Sequence, residues 1–256
     1  MIESAASTEA RRGRGSDAPP VVLIHGVGFG PATLAPLAAA LEPYARVEIP
    51  ARRGYGDRAH LPPAASVADH VEDILGMLDE SGVDRAVVAG MSGGATVALA
   101  LALSRPERVV VAVAHEPAVG SLAPELRALV RRALTEGGGS GLLRVLAGAE
   151  TWGKLPGAVA AKLEGSRELV EADAAAFLAF EPWLADGPTP PPLVCSVGER
   201  SSELRFTIAR RLVARTGALL AVVPGCGHLP QLDNPAAFAR LILEQATVNR
   251  VETGVK

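Results

Sequence analysis

At 256 residues, with 48% hydrophobic content, 27 glycines and 20 prolines, the chain can bury a substantial core and reads as one large domain. A formal net charge of −3 gives no electrostatic case for nucleic acid, and the cluster Arg11, Arg12 and Arg14 lies in a Ser/Gly/Ala-rich leader that reads as a disordered tail over 1–20. No run reaches the roughly 18 apolar residues of a membrane helix, and the leader lacks the apolar centre of a secretory signal, so we expect a cytoplasmic protein without a membrane partner. Cys195 and Cys226 lack the spacing of a metal site or a disulfide framework and are expected as free thiols.

The first pattern is Val21-Val22-Leu23-Ile24, a continuous apolar run that suits a strand buried on both faces of a parallel sheet. It ends in His25-Gly26-Val27-Gly28-Phe29-Gly30, where glycines permit a tight turn and leave amides free for an anion. A dinucleotide fingerprint fails here, because Pro31 stands where its third glycine is needed. Thr33 to Leu41 reads as a helix, Arg46 to Ile49 as a strand, and Arg52-Arg53-Gly54-Tyr55-Gly56-Asp57 as a loop. Ser66 then opens a helix whose Val67, Val71, Ile74, Leu75 and Leu78 keep helical spacing, with Asp69 completing a capping box and Gly82 ending it.

Ala86 to Ala89 reads as a strand, Ala95 to Leu103 as a helix, and between them lies Gly90-Met91-Ser92-Gly93-Gly94. A G-x-S-x-G on a strand-to-helix turn holds its serine hydroxyl clear at a helix N-terminus, so Ser92 is the candidate nucleophile. Val109 to Ala114 is a further buried strand, ending in His115-Glu116-Pro117. The strand–helix alternation, which predicts a parallel sheet with helices on both faces, then stops. Leu122 to Leu184 shows helical patches broken by Gly137-Gly138-Gly139-Ser140-Gly141, and we expect a helical cap over 119–187, whose aromatics Trp152, Phe177, Phe180 and Trp183 are candidates to line a pocket for an apolar substrate, Trp183 and Phe180 first. Core and cap would divide as 21–118 and 188–247 against 119–187, with a tail over 248–256.

Leu193 to Val197 and Leu219 to Val223 read as the last strands, around a helix from Leu204 to Val213. His228 then follows on the Gly-rich turn Gly225-Cys226-Gly227, before a closing helix from Ala236 to Gln245. His25 is expected to anchor its own loop and His115 to support its neighbours from the core. His60 and His70 read as surface positions.

The His25-Gly26 turn, the Arg53-Gly54-Tyr55-Gly56 loop, the Ser92 elbow and the Gly227-His228 turn, in this order, resemble the alpha/beta-hydrolase superfamily from Val21 to Gln245. Because the superfamily's usual first two strands have little room before Val21, the resemblance implies a mostly parallel sheet of about six strands with helices on both faces. It also implies a serine nucleophile, a histidine base and an orienting carboxylate, and the first two fall on Ser92 and His228. The usual acid position holds Ser201, which cannot serve. Glu116 at a neighbouring strand end is the preferred acid, with Glu199 and Glu203 as alternatives and Asp233 read as a turn and helix start. A glutamate there is known in some haloalkane dehalogenases and in zearalenone-type lactonases; the elbow serine disfavours the former, and the His115-Glu116 pair is similar to the latter.

These residues imply an ester or lactone hydrolase acting through an acyl-enzyme on an apolar or aromatic small molecule, with no metal or organic cofactor. The backbone amides of Gly93 and Val27, with Gly26 beside them, would form the oxyanion hole. A general carboxylesterase, a perhydrolase-like enzyme and a non-hydrolytic ligand-binding member of the fold are the alternatives, and a homodimer is left open.

Overall fold

The computed structural model describes residues 19–154, 167–182 and 189–252. Six strands form one sheet: β1 (Val21–Ile24), β2 (Val47–Glu48), β3 (Ala86–Met91), β4 (Val109–His115), β5 (Leu193–Gly198) and β6 (Leu219–Val223). Their order is β2-β1-β3-β4-β5-β6, with every pairing parallel.

Every residue of β1, β3, β4 and β5 is buried, as the unbroken apolar runs require. Alternate residues face opposite layers. Val22, Ile24 and Val88 join one apolar cluster with α2 (Val67–Glu80), α3 (Gly93–Ser104) and α7 (Glu203–Thr216). Val21, Leu23, Val87 and Val113 join the other with α1 (Ala35–Leu41) and α9 (Pro235–Glu252). The capping box of α2 is formed: Ser66 Oγ accepts from the Asp69 amide at 3.3 Å, and Asp69 Oδ2 accepts from the Ser66 amide at 2.9 Å.

Between β4 and β5 lie α4 (Pro124–Ala147), α5 (Ala149–Lys154) and α6 (Arg167–Ala179). The glycine run breaks the helix as its composition predicts: α4 is two helical stretches that meet at a kink at Gly138, whose φ of 60° and ψ of −156° leave helical geometry. Downstream, α8 (Pro230–Asp233) precedes α9, which runs well past Gln245. Asn234 rather than Asp233 caps α9, its Oδ1 accepting from the Ala237 amide at 3.2 Å. No helix among the described residues is long and apolar enough to cross a membrane.

His70 is a correction. It is fully buried, stacked on Phe177 at 5.4 Å between centroids and 3.1 Å from Arg52 Nη1. Its place on the inner face of α2 was hidden because a single polar residue among apolar neighbours looks the same whether its partner is water or a distant side chain.

Candidate active site

Ser92 follows β3 and precedes α3, at the carboxyl edge of the sheet. Its φ of 54° and ψ of −120° are rare for a residue with a side chain, and they come from the packing of three glycines. A Cβ on Gly90 would stand 2.2 Å from the Gly94 carbonyl oxygen, one on Gly94 would stand 2.1 Å from that of Ile24, and one on Gly93 would strike the Phe177 ring at 2.4 Å. The Ser92 amide donates to the His115 carbonyl at 2.9 Å, tying the elbow to the end of β4.

Glu116 is the next residue, also at positive φ, 48°, and its amide donates to the Ser196 carbonyl of β5 at 2.9 Å. The carboxylate is buried and its oxygens are taken. Oε1 accepts from the Gly198 amide at 3.1 Å and from the Ser201 hydroxyl, and Oε2 accepts from His228 Nδ1 at 2.7 Å. Burial alone would raise its pKa; the His228 hydrogen bond and the neighbouring His115, His228 and Arg205 more than offset it, holding Glu116 ionised far below the usual carboxylate range.

An ionised Glu116 fixes the proton of neutral His228 on Nδ1 and leaves the Nε2 lone pair free; Nε2 is buried with no partner among the described residues. Burial, then the charge of Arg205, lowers the His228 pKa to about 4 against the pull of Glu116. His115 supports the loop: its Nε2–H donates to the Gly227 carbonyl at 3.0 Å while Nδ1 meets Ser196 Oγ at 3.0 Å. Burial keeps it neutral in that role.

The other carboxylates lie elsewhere. Glu199 accepts from the Gly225 amide at 2.8 Å. Glu203 is exposed and pairs with Arg210. Asp233 accepts from the Gly227 amide at 2.7 Å and from Thr151 at 2.8 Å, so it shapes the histidine turn without touching the ring.

Gly93 opens α3, where an amide has no acceptor four residues back in its own helix. Val27 lines the same cavity as Ser92, and a Cβ on Gly26 would stand 3.3 Å from that of Ser92. The network that holds this loop is one that sequence reasoning missed. Arg52 is fully buried and donates through Nη2 to the Gly26 carbonyl at 3.0 Å and to Asp173 Oδ2 at 2.8 Å. Its Nη1 meets Asp173 Oδ1 at 3.1 Å, and Tyr55 donates to Asp173 at 2.6 Å while accepting from the Gly28 amide at 2.8 Å. His25 Nε2 accepts from the Arg52 amide at 3.2 Å, which puts its proton on Nδ1 toward the Gly26 carbonyl at 3.0 Å. Burial, with Arg52 nearby, lowers the His25 pKa to about 3.

The cavity at Ser92 holds only about 20 Å³, walled by Leu126, Leu142, Leu146 and Phe177 from the helices between β4 and β5. A groove of about 300 Å³ runs past Glu116, Ser201 and His228, and Arg205 lines both spaces. Phe180 is half-buried beside an outer groove with Val67, Ala100 and Leu103. Phe177, one turn earlier, takes the place beside Ser92. Trp183 lies outside the described residues. Cys195 and Cys226 are buried free thiols. Among the described residues no group of three or more His, Cys, Asp or Glu could hold a metal ion.

Comparison with known proteins finds hydrolases. The chain is 36% identical over 102 residues to "Putative carbamate hydrolase RutD" of Caulobacter sp. (strain K31), covering 40% of this chain and 38% of that one. It is 34% identical over 104 residues to the pimeloyl-[acyl-carrier protein] methyl ester esterase of Vibrio campbellii (strain ATCC BAA-1116), covering 39% and 38%. The matches thus span about two-fifths of these relatives' lengths. The fold is shared with Est816, an N-acyl homoserine lactone degrading enzyme, at a TM-score of 0.71 and 22% identity over 89% of this chain and 93% of that one. The model of the alpha/beta hydrolase family matches residues 21–241, and the chain belongs to that family.

Proposed function

We propose that the protein is a serine hydrolase that cleaves a small carboxylic ester or lactone through an acyl-enzyme. Ser92 attacks the carbonyl, His228 Nε2 takes its proton, and Glu116 holds the imidazole and stabilises the imidazolium that forms. The oxyanion is met by the amides of Gly93 and Val27, with Gly26 alongside, a loop fixed in advance by Arg52, Tyr55 and Asp173 so that nothing reorganises as charge develops. Water then attacks the acyl-enzyme with His228 as base again. Helices α4 to α6 act as a cap over Ser92 and exclude water from it.

The observation that carries this reading is the 2.7 Å bond from His228 Nδ1 to Glu116, which leaves Nε2 an unpartnered base. The relatives and the structural neighbour are named as a "putative carbamate hydrolase", a methyl ester esterase and a lactone-degrading enzyme, and carbamates, esters and lactones all present an acyl carbonyl for cleavage. The test is intact-protein mass after exposure to a fluorophosphonate, with the modified peptide located by fragmentation. One fast adduct on Ser92, lost in His228→Ala, is expected. A folded protein that takes no adduct overturns the proposal in favour of a ligand-binding member of the family.

A further inference from the structure

Arg205, in the first turn of α7, is a buried cation whose charge helps keep Glu116 ionised but whose hydrogen-bond donors the Ser–His–Glu chemistry leaves unused. It is only 8% exposed, its Nε is 3.5 Å from Glu116 Oε2, and its Nη1 is buried with no partner among the described residues. At 3.5 Å the contact with Glu116 is Coulombic rather than a strong hydrogen bond. Glu116 has no need of Arg205 as a donor, since Gly198, Ser201 and His228 already serve both its oxygens. A guanidinium withdrawn from water with an unmet donor is costly to keep. That cost is removed when an acceptor arrives.

Arg205 is also where an acceptor would have to be for the reaction. It lines the cavity of Ser92, Val27 and Phe177, and equally the groove of His228 and Ser201. Its planar fork matches a carboxylate, whereas Arg200 at the same groove is already paired with Asp233 at 3.5 Å. We infer that Arg205 anchors a carboxylate of the substrate, so that the preferred substrate is a small ester or lactone bearing a free carboxylate close to the scissile carbonyl. This rests on the hydrolase reading above and adds a substrate class to it. After burial, Arg205 is the strongest influence depressing the basicity of His228. A carboxylate docked on the guanidinium offsets that charge as the imidazolium forms, so binding the right substrate also eases the proton transfer.

The test compares monomethyl succinate with its neutral counterpart methyl 4-oxopentanoate, alongside calorimetric titration with succinate and fluorophosphonate labelling of Ser92. Expected are at least a tenfold higher kcat/KM for the monoester, binding of succinate that slows labelling, and loss of both in Arg205→Met. Arg205→Lys serves where the methionine variant does not fold, and should keep part of the binding. Labelling of Ser92 without substrate preference or succinate binding overturns the carboxylate site and leaves the hydrolase reading intact. Absence of labelling overturns the hydrolase reading, and succinate binding to the wild type against the Arg205 variants then decides the anion site alone.

Discussion

Replacing Glu116 by glutamine changes one oxygen to an amide nitrogen in a fully constrained place. The Gly198 amide and the Ser201 hydroxyl both donate toward Oε1, so the introduced amide must keep its oxygen there and turn its NH₂ toward His228. That NH₂ can only donate to Nδ1, which moves the imidazole proton to Nε2 and removes the lone pair that Ser92 needs. The variant also loses the charge facing the imidazolium. At roughly 4 Å between charge centres and an effective dielectric of about 20, that charge is worth about 4 kcal/mol, or roughly a thousandfold in rate. We therefore expect Glu116→Gln to lower kcat on p-nitrophenyl butanoate by roughly a thousandfold or more with KM little changed, and to slow fluorophosphonate labelling in parallel. Circular dichroism should show the fold retained, since the volume is unchanged. A folded variant within about threefold of the wild-type rate would refute the assignment of Glu116 and return attention to Glu199 and Glu203.

Two further outcomes follow from buried charge. His228 and His25, lowered from 6.5 to about 4 and about 3, stay neutral in the fold where the unfolded chain would protonate. Between those values and 6.5 the unfolded state binds more protons, so stability falls with pH below 6.5, by about 2 kcal/mol per histidine at about pH 5; urea unfolding at about pH 7.5 and 5 measures it. For the same reason kcat/KM should be flat from about pH 8 down to about pH 5.5, and an inflection near 6.5 in initial rates would contradict the neutral, buried His228. Asp173→Asn strips the counter-charge from Arg52 and should cost about 3–5 kcal/mol, read by urea unfolding. In molecules that still fold, it should reduce turnover by loosening the Gly26–Gly28 loop.

The parts of the site legible in the sequence are those that local chain geometry dictates. Ser92 was legible because the elbow needs glycine at 90 and 94, where a Cβ would meet backbone within 2.2 Å. His228 was legible from its Gly-rich turn, and Glu116 from an apolar run, Val109 to Ala114, that delivers the residues after it to the same edge. The strands were read nearly in full because burial on both faces leaves unbroken apolar runs. Arg52 and Asp173 were not legible. They are 121 positions apart, and each alone looks like a solvated charge. Arg205 was hidden in the same way, on a helix that also carries Arg210, Arg211 and Arg215. Phe177 and Phe180 are one turn apart in composition-equivalent surroundings, and only the third dimension decides which of them faces Ser92. Local rules specify where the chain must turn, whereas which distant charges meet is set by packing.

The empty acid position illustrates the difference. Ser201 occupies the usual place for the carboxylate after β5, yet its hydroxyl donates to Glu116, which arrives from β4. The two strands are parallel neighbours with His115 in register with Ser196, so residues leaving their carboxyl ends converge on one volume. What the imidazole requires is a carboxylate oxygen at Nδ1, and either strand end can supply it. On the proposed reading the acid sits at the end of β4; Glu116 there has a positive φ, and its amide is held by Ser196 of the neighbouring β5. That placement leaves the position after β5 free of charge. The next cation along, Arg205, then faces a carboxylate whose hydrogen bonds are already complete, and that surplus of donors beside Ser92 is what the substrate is left to satisfy.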